Sequence, residues 1–373
     1  MKEGLRILLG IKGLDNAKGG AERVMAALAS ALAERGHRVI LMTFDRLGGH
    51  SFYAIDPRVR RVCLGIGRTD SRTTILDFWC RVPAIRRVVR EERPDIAIGF
   101  MHSMYVPMAV ALLGTRVPIL ASEHMVPEYY RNRRFEYFLL LLSSFLVDRF
   151  SVLSDSVGRR FPPFTHPKMV ALPNPVYPAT VFANPRGGSD TAKTVLNVGR
   201  LVDFKDQRTL IDAFARVADS FPDWQLRIVG EGELRGELEA RVAALGLQGR
   251  VHLPGATSAI EQEYAAAHIF ALSSVYEGFG LVTAEASSHG LPTIGFADCT
   301  GTNELIEDGR TGILVDSSDR VRNLAAALRR LMSDADLRER LGTAGIEKMR
   351  EYAPGRVFDK WEQTIGSIVA GTR

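Results

Sequence analysis

The sequence predicts an α/β chain built as two Rossmann-like domains facing each other across a cleft. Three observations carry that expectation. Short apolar runs alternate with helix-period segments along the whole chain, the pattern of βαβ units and parallel sheets. One Pro/Gly-rich stretch near the middle interrupts the alternation, which then restarts. A length of 373 residues suits two domains rather than one.

In the first half, strands are expected over 5–9, 38–43, 59–63, 95–99, 118–122 and 149–152, with helices near 21–33, 74–90, 105–113 and 131–145. The interruption begins at Pro173-Asn174-Pro175 and runs into Asn184-Pro185-Arg186-Gly187-Gly188. It reads as a linker, 174–192, between an N-terminal domain, 1–173, and a C-terminal domain, 193–353. In the second half, strands are expected over 194–198, 225–229, 251–253, 269–273, 292–295 and 312–315, with helices near 208–219, 234–245, 258–266, 282–289, 318–332 and 334–350. A helix over 354–369 closes the chain, in a tail, 354–373, expected to pack back on the N-terminal domain. Ligands of such sheets sit at the carboxyl ends of the strands, so the chemistry belongs in the βα loops.

Composition narrows the function classes. Hydrophobic residues are 46% and charged residues 24%, which argues against a disordered, collagenous or coiled-coil chain. No run approaches the roughly 18 apolar residues of a spanning helix. The chain starts almost directly in a strand, so no signal peptide is expected, and three cysteines, Cys63, Cys80 and Cys299, are too few for a disulfide framework or a zinc cluster. The expected compartment is the cytosol. The net charge of +5 is unevenly divided: residues 1–173 hold 26 Lys and Arg against 16 Asp and Glu, the remainder 22 against 27. A basic first half suits an anionic partner such as lipid or a phosphorylated substrate. Aromatics do not interleave with the basic residues, so no nucleic-acid partner is expected.

The densest motif is Ser273-Ser274-Val275-Tyr276-Glu277-Gly278-Phe279-Gly280-Leu281, running to Glu285. A buried strand passes through a glycine-rich loop into a helix, whose first N–H groups and dipole suit an anion such as a phosphate. Glu285, one turn into that helix, tilts back toward its N-terminus and could meet ribose hydroxyls there. Glu277, in the loop, could accept from sugar hydroxyls. The bland alternatives are a solvated loop acid and a first-turn acid favoured by the dipole.

A second strand end, Asn197-Val198-Gly199-Arg200, is followed five residues later by Lys205. Arg200 and Lys205 suit a diphosphate, although either alone is more simply a surface cation. Gly19-Gly20-Ala21-Glu22-Arg23 follows the first strand, preceded by Lys18, without the Gly-x-Gly-x-x-Gly of a nicotinamide or flavin enzyme. It is either a helix N-terminus facing a ligand or a plain strand-to-helix turn. Ser122-Glu123-His124 ends another strand, where a histidine could meet a substrate hydroxyl or simply be a satisfied polar residue. Asp334-Ala335-Asp336 reads as a helix cap rather than a metal site.

Taken together, Gly-Gly-x-Glu-Arg, Ser-Glu-His, Asn-Val-Gly-Arg-Leu with Lys205, Glu277-x7-Glu285 and the Glu304-Leu305-Ile306-Glu307-Asp308-Gly309 segment resemble the retaining GT-B glycosyltransferases of family 4, in the family's order and over nearly the whole chain. The resemblance implies transfer of a sugar, with retention and without a metal or resident cofactor, from a nucleotide-diphosphate donor, UDP-linked by expectation. It implies donor contacts from Gly19, Gly20, Arg200, Lys205, Phe279, Gly280, Leu281 and Glu285, and catalytic roles for His124 and Glu277. The chain departs from the family's usual Gly-Gly at Cys299-Thr300-Gly301-Thr302-Asn303. Rival readings are a nucleotide-sugar 2-epimerase of the same fold, whose usual set of catalytic acids is not recognisable here, and a non-catalytic nucleotide-sugar-binding protein.

The acceptor side is read from charge. Arg81, Arg86, Arg87, Arg90 and Arg93 crowd one expected helix, and Arg131, Arg133 and Arg134 precede the apolar stretch 137–147. A solvated helix face is the bland reading. The other is contact with the anionic inner face of the cytoplasmic membrane and, through Arg81, Arg86, Arg87 and Arg90, with a lipid-linked diphosphate glycan acceptor. The chain looks most like bacterial members that extend lipid-linked oligosaccharides or exopolysaccharides.

Overall fold

A computed structural model describes residues 4–15, 19–67, 74–188 and 192–372; Lys18 of the glycine motif and residues 189–191 of the expected linker fall outside it. The chain forms two compact units, Met1–Pro175 together with Gly355–Arg373, and Val176–Pro354.

Unit 1 holds β1 (Arg6–Gly10), α1 (Gly20–Glu34), β2 (Arg38–Thr43), β3 (Arg60–Cys63), α2 (Ile75–Glu92), β4 (Ile96–Phe100), α3 (His102–Ala111), β5 (Ile119–Ser122), α4 (Arg134–Ser143), β6 (Arg149–Val152), α5 (Asp155–Arg159) and β7 (Met169–Ala171). Its strands run in the order β3-β2-β1-β4-β5-β6-β7, every pairing parallel. Such strands are covered on both faces and so read as unbroken apolar runs: Ile7, Leu8, Leu9, Ile96, Ala97 and Ile98 are all fully buried.

Unit 2 holds β8 (Lys193–Val198), α6 (Gln207–Ala218), β9 (Trp224–Val229), α7 (Arg235–Ala244), β10 (Val251–Gly255), α8 (Ile260–Ala266), β11 (Ile269–Ala271), α9 (Leu281–Ser288), β12 (Thr293–Phe296), β13 (Gly312–Val315), α10 (Arg320–Ser333) and α11 (Ala335–Met349). Its sheet order is β10-β9-β8-β11-β12-β13, again all parallel. Both orders reverse beside the first strand of the unit, the doubly wound pattern whose switch point places ligands at the strands' carboxyl ends.

The last helix, α12 (Pro354–Thr372), belongs to unit 1. It buries Val357, Phe358, Trp361, Ile365, Ile368 and Val369 on one stripe, each such side chain contributing about 1.5–3 kcal/mol. Trp361 stacks 5.8 Å from Phe100, and Glu362 pairs with Arg35 and His37 at the end of α1.

Several stretches differ from the sequence expectation, among them α3, which starts at His102 rather than 105. Residues 176–188 are held within unit 2 rather than strung between units: Ala183 N–H donates to the His289 carbonyl, and the buried Arg338 guanidinium donates to the carbonyls of Pro185 and Arg186. The helix expected from 131 starts at Arg134, because Pro127–Tyr130 takes a tighter 3-10 turn. The five-residue α5 and three-residue β7 are too short to show a period. The strand expected to Ser273 ends at Ala271, where the chain leaves the sheet for the glycine loop. Asp334 caps α11 as read, accepting from the Leu337 N–H at 2.8 Å.

Candidate functional site

In unit 2 the exits of the neighbouring strands β8 and β11 are stitched together. The Val275 N–H donates to the Phe204 carbonyl at 2.8 Å, and Ser273 Oγ donates to the Lys205 carbonyl at 2.9 Å. Lys205 Nζ then meets Glu277 Oε1 at 2.5 Å, and Ser274 Oγ donates to the same oxygen at 2.6 Å. Both members of the ion pair are nearly withdrawn from solvent, Lys205 at 13% and Glu277 at 12% exposure. The two loops therefore set each other's side-chain positions. Arg200 stays exposed on the same turn, its guanidinium 5.9 Å from the Phe204 ring, which lies flat on Tyr276 at 5.0 Å.

Arg320, at the start of α10, locks this arrangement. Its guanidinium stacks on Phe296 at 3.6 Å, donates to the Ser273 carbonyl at 2.5 Å and reaches Asp206 at 3.1 Å. Asp206 in turn caps α6, accepting from the Thr209 N–H. Sequence reasoning missed Arg320, Ser274 and the Phe204–Tyr276 stack. Arg320 lies outside every motif, and Ser274 and Tyr276, though within the glycine-loop motif, take their roles from contacts with Lys205, Glu277 and Phe204 that only the fold makes.

The glycine loop enters α9 through Gly280, left-handed at φ +82° and without a side chain to cap the helix. A Cβ there would also stand 2.9 Å from Thr302 Oγ1. The uncapped first turn presents N–H groups that have no acceptor within the helix. Phe279 is buried edge-on against Tyr352, which anchors the turn, and Leu281 opens the helix. Glu285 lies one turn in, its Oε2 accepting from Tyr264 Oη at 2.9 Å. The departing Cys299–Asn303 segment packs under the loop: the Glu277 N–H donates to the Thr300 carbonyl, and a Cβ on Gly301 would come within 2.8 Å of the Glu277 carbonyl. Burial, then the nearby Glu277 carboxylate, push the Cys299 thiol up to about 12, so it is a neutral packing group.

In unit 1, Gly19 is the N-cap of α1 and Gly20 its first residue, so the cap residue has no side chain of its own, and the Glu22 carboxylate folds back against Gly19; Tyr53 Oη donates to the Gly19 carbonyl at 3.1 Å. At the end of β5, His124 packs on Phe100 at 5.0 Å, with Nε2 3.1 Å from Ser122 Oγ. Its exposure is 8%, and burial pushes its pKa down to about 4, so the imidazole is neutral at physiological pH. The preceding Glu123 is almost fully buried and takes four hydrogen bonds. Tyr105 Oη at 2.5 Å and Tyr130 Oη at 3.0 Å donate to Oε2, and the His124 and Met125 N–H groups donate to Oε1, each at 2.9 Å. Tyr130 Oη also meets His102 Nδ1 at 2.8 Å, and His102 Nε2 meets Glu136 of α4 at 3.2 Å. The Ser-Glu-His turn is thus held from beneath by one carboxylate.

The arginines of α2 divide. Arg87 and Arg90 are exposed; Arg86 is half-buried and donates to the Ala111 carbonyl. Arg81 is not on that face. It is fully buried, stacked over Phe44 at 4.2 Å, and heads the stripe it shares with Ile85, Val88 and Glu92. Seven- and eleven-residue spacings put those positions on one side of a helix, and that side is the core.

Among the described residues, no group of three or more His, Cys, Asp or Glu could hold a metal ion, and no helix is long and apolar enough to cross a membrane.

Two doubly wound parallel sheets in one chain, with loop sites at their carboxyl edges, define a GT-B-type glycosyltransferase fold. The chain superimposes over 98% of its length on sucrose-phosphate synthase from Thermosynechococcus elongatus, covering all of that chain, with a TM-score of 0.85 at 21% identity. It superimposes over 97% on Anabaena HepE in complex with UDP, again covering all of that chain, with a TM-score of 0.76 at 19% identity. The sequence profile described as Glycosyltransferase Family 4 matches residues 18–180, and that of Glycosyl transferases group 1 matches residues 183–348, so the chain belongs to this glycosyltransferase family. Among its relatives is the Campylobacter jejuni alpha-1,4-N-acetyl-D-galactosaminyltransferase named for GalNAc-alpha-(1->4)-GalNAc-alpha-(1->3)-diNAcBac-PP-undecaprenol. That protein is 26% identical over 94% of this chain and 96% of its own. The amylovoran biosynthesis glycosyltransferase AmsD of Erwinia amylovora is 25% identical over 96% of this chain and 99% of its own.

Proposed function

We propose that this glycosyltransferase moves a sugar, with retention, from a UDP-linked donor to a hydroxyl of a glycan carried on a lipid diphosphate, in cell-surface polysaccharide or glycan assembly at the inner membrane face. The observation that carries the donor half is the Lys205–Glu277 pair set beside exposed Arg200 and the uncapped start of α9. A diphosphate there would meet two cations and a row of N–H donors, which together stabilise the charge that develops on the leaving group. Phe279, Gly280 and Leu281 would supply those donors. Glu285 would take the ribose, Glu277 the donor sugar, and Gly19 and Gly20 would leave the first helix open to the donor.

This reading needs no carboxylate nucleophile. The acceptor hydroxyl would attack on the face the diphosphate leaves: its oxygen bonds to the anomeric carbon, the carbon–oxygen bond to the diphosphate breaks, and the proton passes to a diphosphate oxygen. His124, neutral, would accept or donate one hydrogen bond to the transferring sugar. Arg86, Arg87 and Arg90 would grip the acceptor's diphosphate. The lipid-diphosphate acceptor is supported by the Campylobacter relative's name and by the basic balance of residues 1–173.

The test is stepwise. Purified protein is screened for thermal stabilisation by a nucleotide panel, then for transfer onto a lipid-diphosphate glycan, with the product's anomeric configuration read by NMR. Stabilisation by UDP above other nucleotides and a product with the donor's configuration support the proposal. Inversion would refute retention. Donor binding without transfer to any acceptor or to water would favour a binding module, and C2 inversion of the free nucleotide sugar an epimerase.

A further inference from the structure

Helix α4 is amphipathic in the wrong sense for water. Its residues Phe135, Phe138 and Leu142, with Phe145 just beyond its end, recur at the spacing of one helical face, and that face points outward. The phenylalanines are 66%, 58% and 65% exposed. The opposite side buries Leu140 with Ser143 and Ser144, whose hydroxyls bond back to the carbonyls of Leu140 and Leu141. Large apolar residues out and serines in is the reverse of ordinary burial. Phe164, 51% exposed on the turn Pro163–Lys168, continues the face by stacking flat on Phe145 at 5.4 Å.

The surroundings are basic. Exposed Arg131 and Arg134 lie at the N-terminal end of the helix. At the other end Lys168 Nζ donates to the carbonyls of Ser144, Phe145 and Val147, which fixes the Phe145 turn. A contiguous apolar patch rimmed by cations on a half-molecule of excess positive charge matches one solvent above others: the headgroup and upper acyl region of an anionic bilayer.

We infer that the α4 face, Phe135, Phe138, Leu142 and Phe145 with Phe164, is the surface by which the chain seats itself on anionic lipid. The inference rests on the membrane reading proposed above and narrows the apolar stretch 137–147 to one exposed face of α4 and its continuation, leaving the α2 arginines for the acceptor. Phosphatidylcholine vesicles with and without phosphatidylglycerol are the probe, in co-sedimentation with the full chain. Wild type should bind the anionic vesicles well above the neutral ones. Phe135→Ser/Phe138→Ser should weaken binding at least about tenfold, since two large apolar side chains would no longer be withdrawn from water into the bilayer. The exposed positions should leave the melting temperature and nucleotide-induced stabilisation unchanged. Phe138→Trp should be quenched by lipids brominated on the acyl chain.

Equal vesicle binding by wild type and the double variant would overturn the inference, as would absence of quenching. A concentration-dependent dimer that the double variant abolishes, with no vesicle binding, would assign the face to a second copy instead. Transfer to a lipid-diphosphate acceptor without vesicle binding would sink this inference while sparing the proposed function; vesicle binding without any transfer would do the reverse.

Discussion

Lys205 Nζ and Glu277 Oε1 stand 2.5 Å apart although 72 residues separate them in sequence, and Ser274 completes the contact. The pair joins the two loops proposed above to carry the donor-side residues. A ligand entering there meets a cation whose position is already set, so little side-chain entropy remains to be lost on binding.

Arg200 and Lys205 should therefore behave differently when removed. Arg200 is exposed, so Arg200→Ala should leave stability within about 0.5 kcal/mol while weakening donor affinity by roughly 1.5–3 kcal/mol. Lys205→Ala leaves a nearly buried carboxylate with Ser274 alone and should also lower unfolding stability, by about 1–3 kcal/mol. Denaturant melts and nucleotide titrations of both variants check this. Equal donor affinity in wild type and both variants would remove the diphosphate assignment.

Glu123 is expected to act as a positioning residue for His124. Glu123→Gln keeps the shape but cannot accept from all four donors, because its NH2 group donates. Stability should fall by about 1–3 kcal/mol and turnover should fall with little change in nucleotide stabilisation, since the proposed diphosphate contacts lie on the loops of unit 2. Tyr130→Phe removes one donor and should do less. Unchanged turnover in both would leave the network a purely structural one.

Acidification should destabilise the fold between about pH 6.5 and 4. Burial lowers His124 and His268 from 6.5 to about 4, so in that window the unfolded chain binds protons the native one does not. Native stability is then complete above pH 6.5 and declines as pH falls, by up to about 3 kcal/mol for a fully buried histidine. His124→Gln should flatten the plot of melting temperature against pH over this range. A parallel slope in that variant would contradict the assignment.

Cysteine reactivity gives a direct check of packing around the glycine loop. Cys80 is exposed and Cys299 is buried with its thiol pushed up to about 12. Brief iodoacetamide treatment of native protein should label Cys80 and spare Cys299, as peptide mass spectrometry would report. Rapid labelling of Cys299 would mean the 299–303 turn opens.

The legibility of this chain in its sequence followed the range of the interactions. Parallel strands covered on both faces showed as runs such as Ile7-Leu8-Leu9, and α6 and α10 showed as periodic segments, because those signals are local. The loops after β8 and β11 could be placed at strand ends, and their cations and acids named. Their mutual contact could not, nor could Arg320, since the sheet alone brings 205, 277 and 320 together. Charge was the least faithful guide. The sequence groups Arg81 with Arg86, Arg87 and Arg90 as one acceptor grip, yet Arg81 falls on the buried stripe with Ile85 and Val88.

That division yields the final expectation. Arg81→Ala removes a fully buried side chain stacked on Phe44 and leaves a cavity beneath α2, so it should cost about 2–4 kcal/mol of stability. Replacing Arg86, Arg87 and Arg90 together by Ser touches exposed or half-buried positions and should cost far less. If these three grip an acceptor diphosphate, the triple variant should raise the acceptor KM severalfold and leave slow hydrolysis of the nucleotide sugar by water unchanged, because the donor loops belong to the other unit. High salt should mimic the substitutions, since exposed charges are screened within about 8–10 Å. Vesicle binding separates this site from the α4 face: the triple variant should keep most of it, whereas Phe135→Ser/Phe138→Ser should not. Equal acceptor KM for wild type and the triple variant, at low and high salt alike, would return these arginines to the status of a solvated helix face.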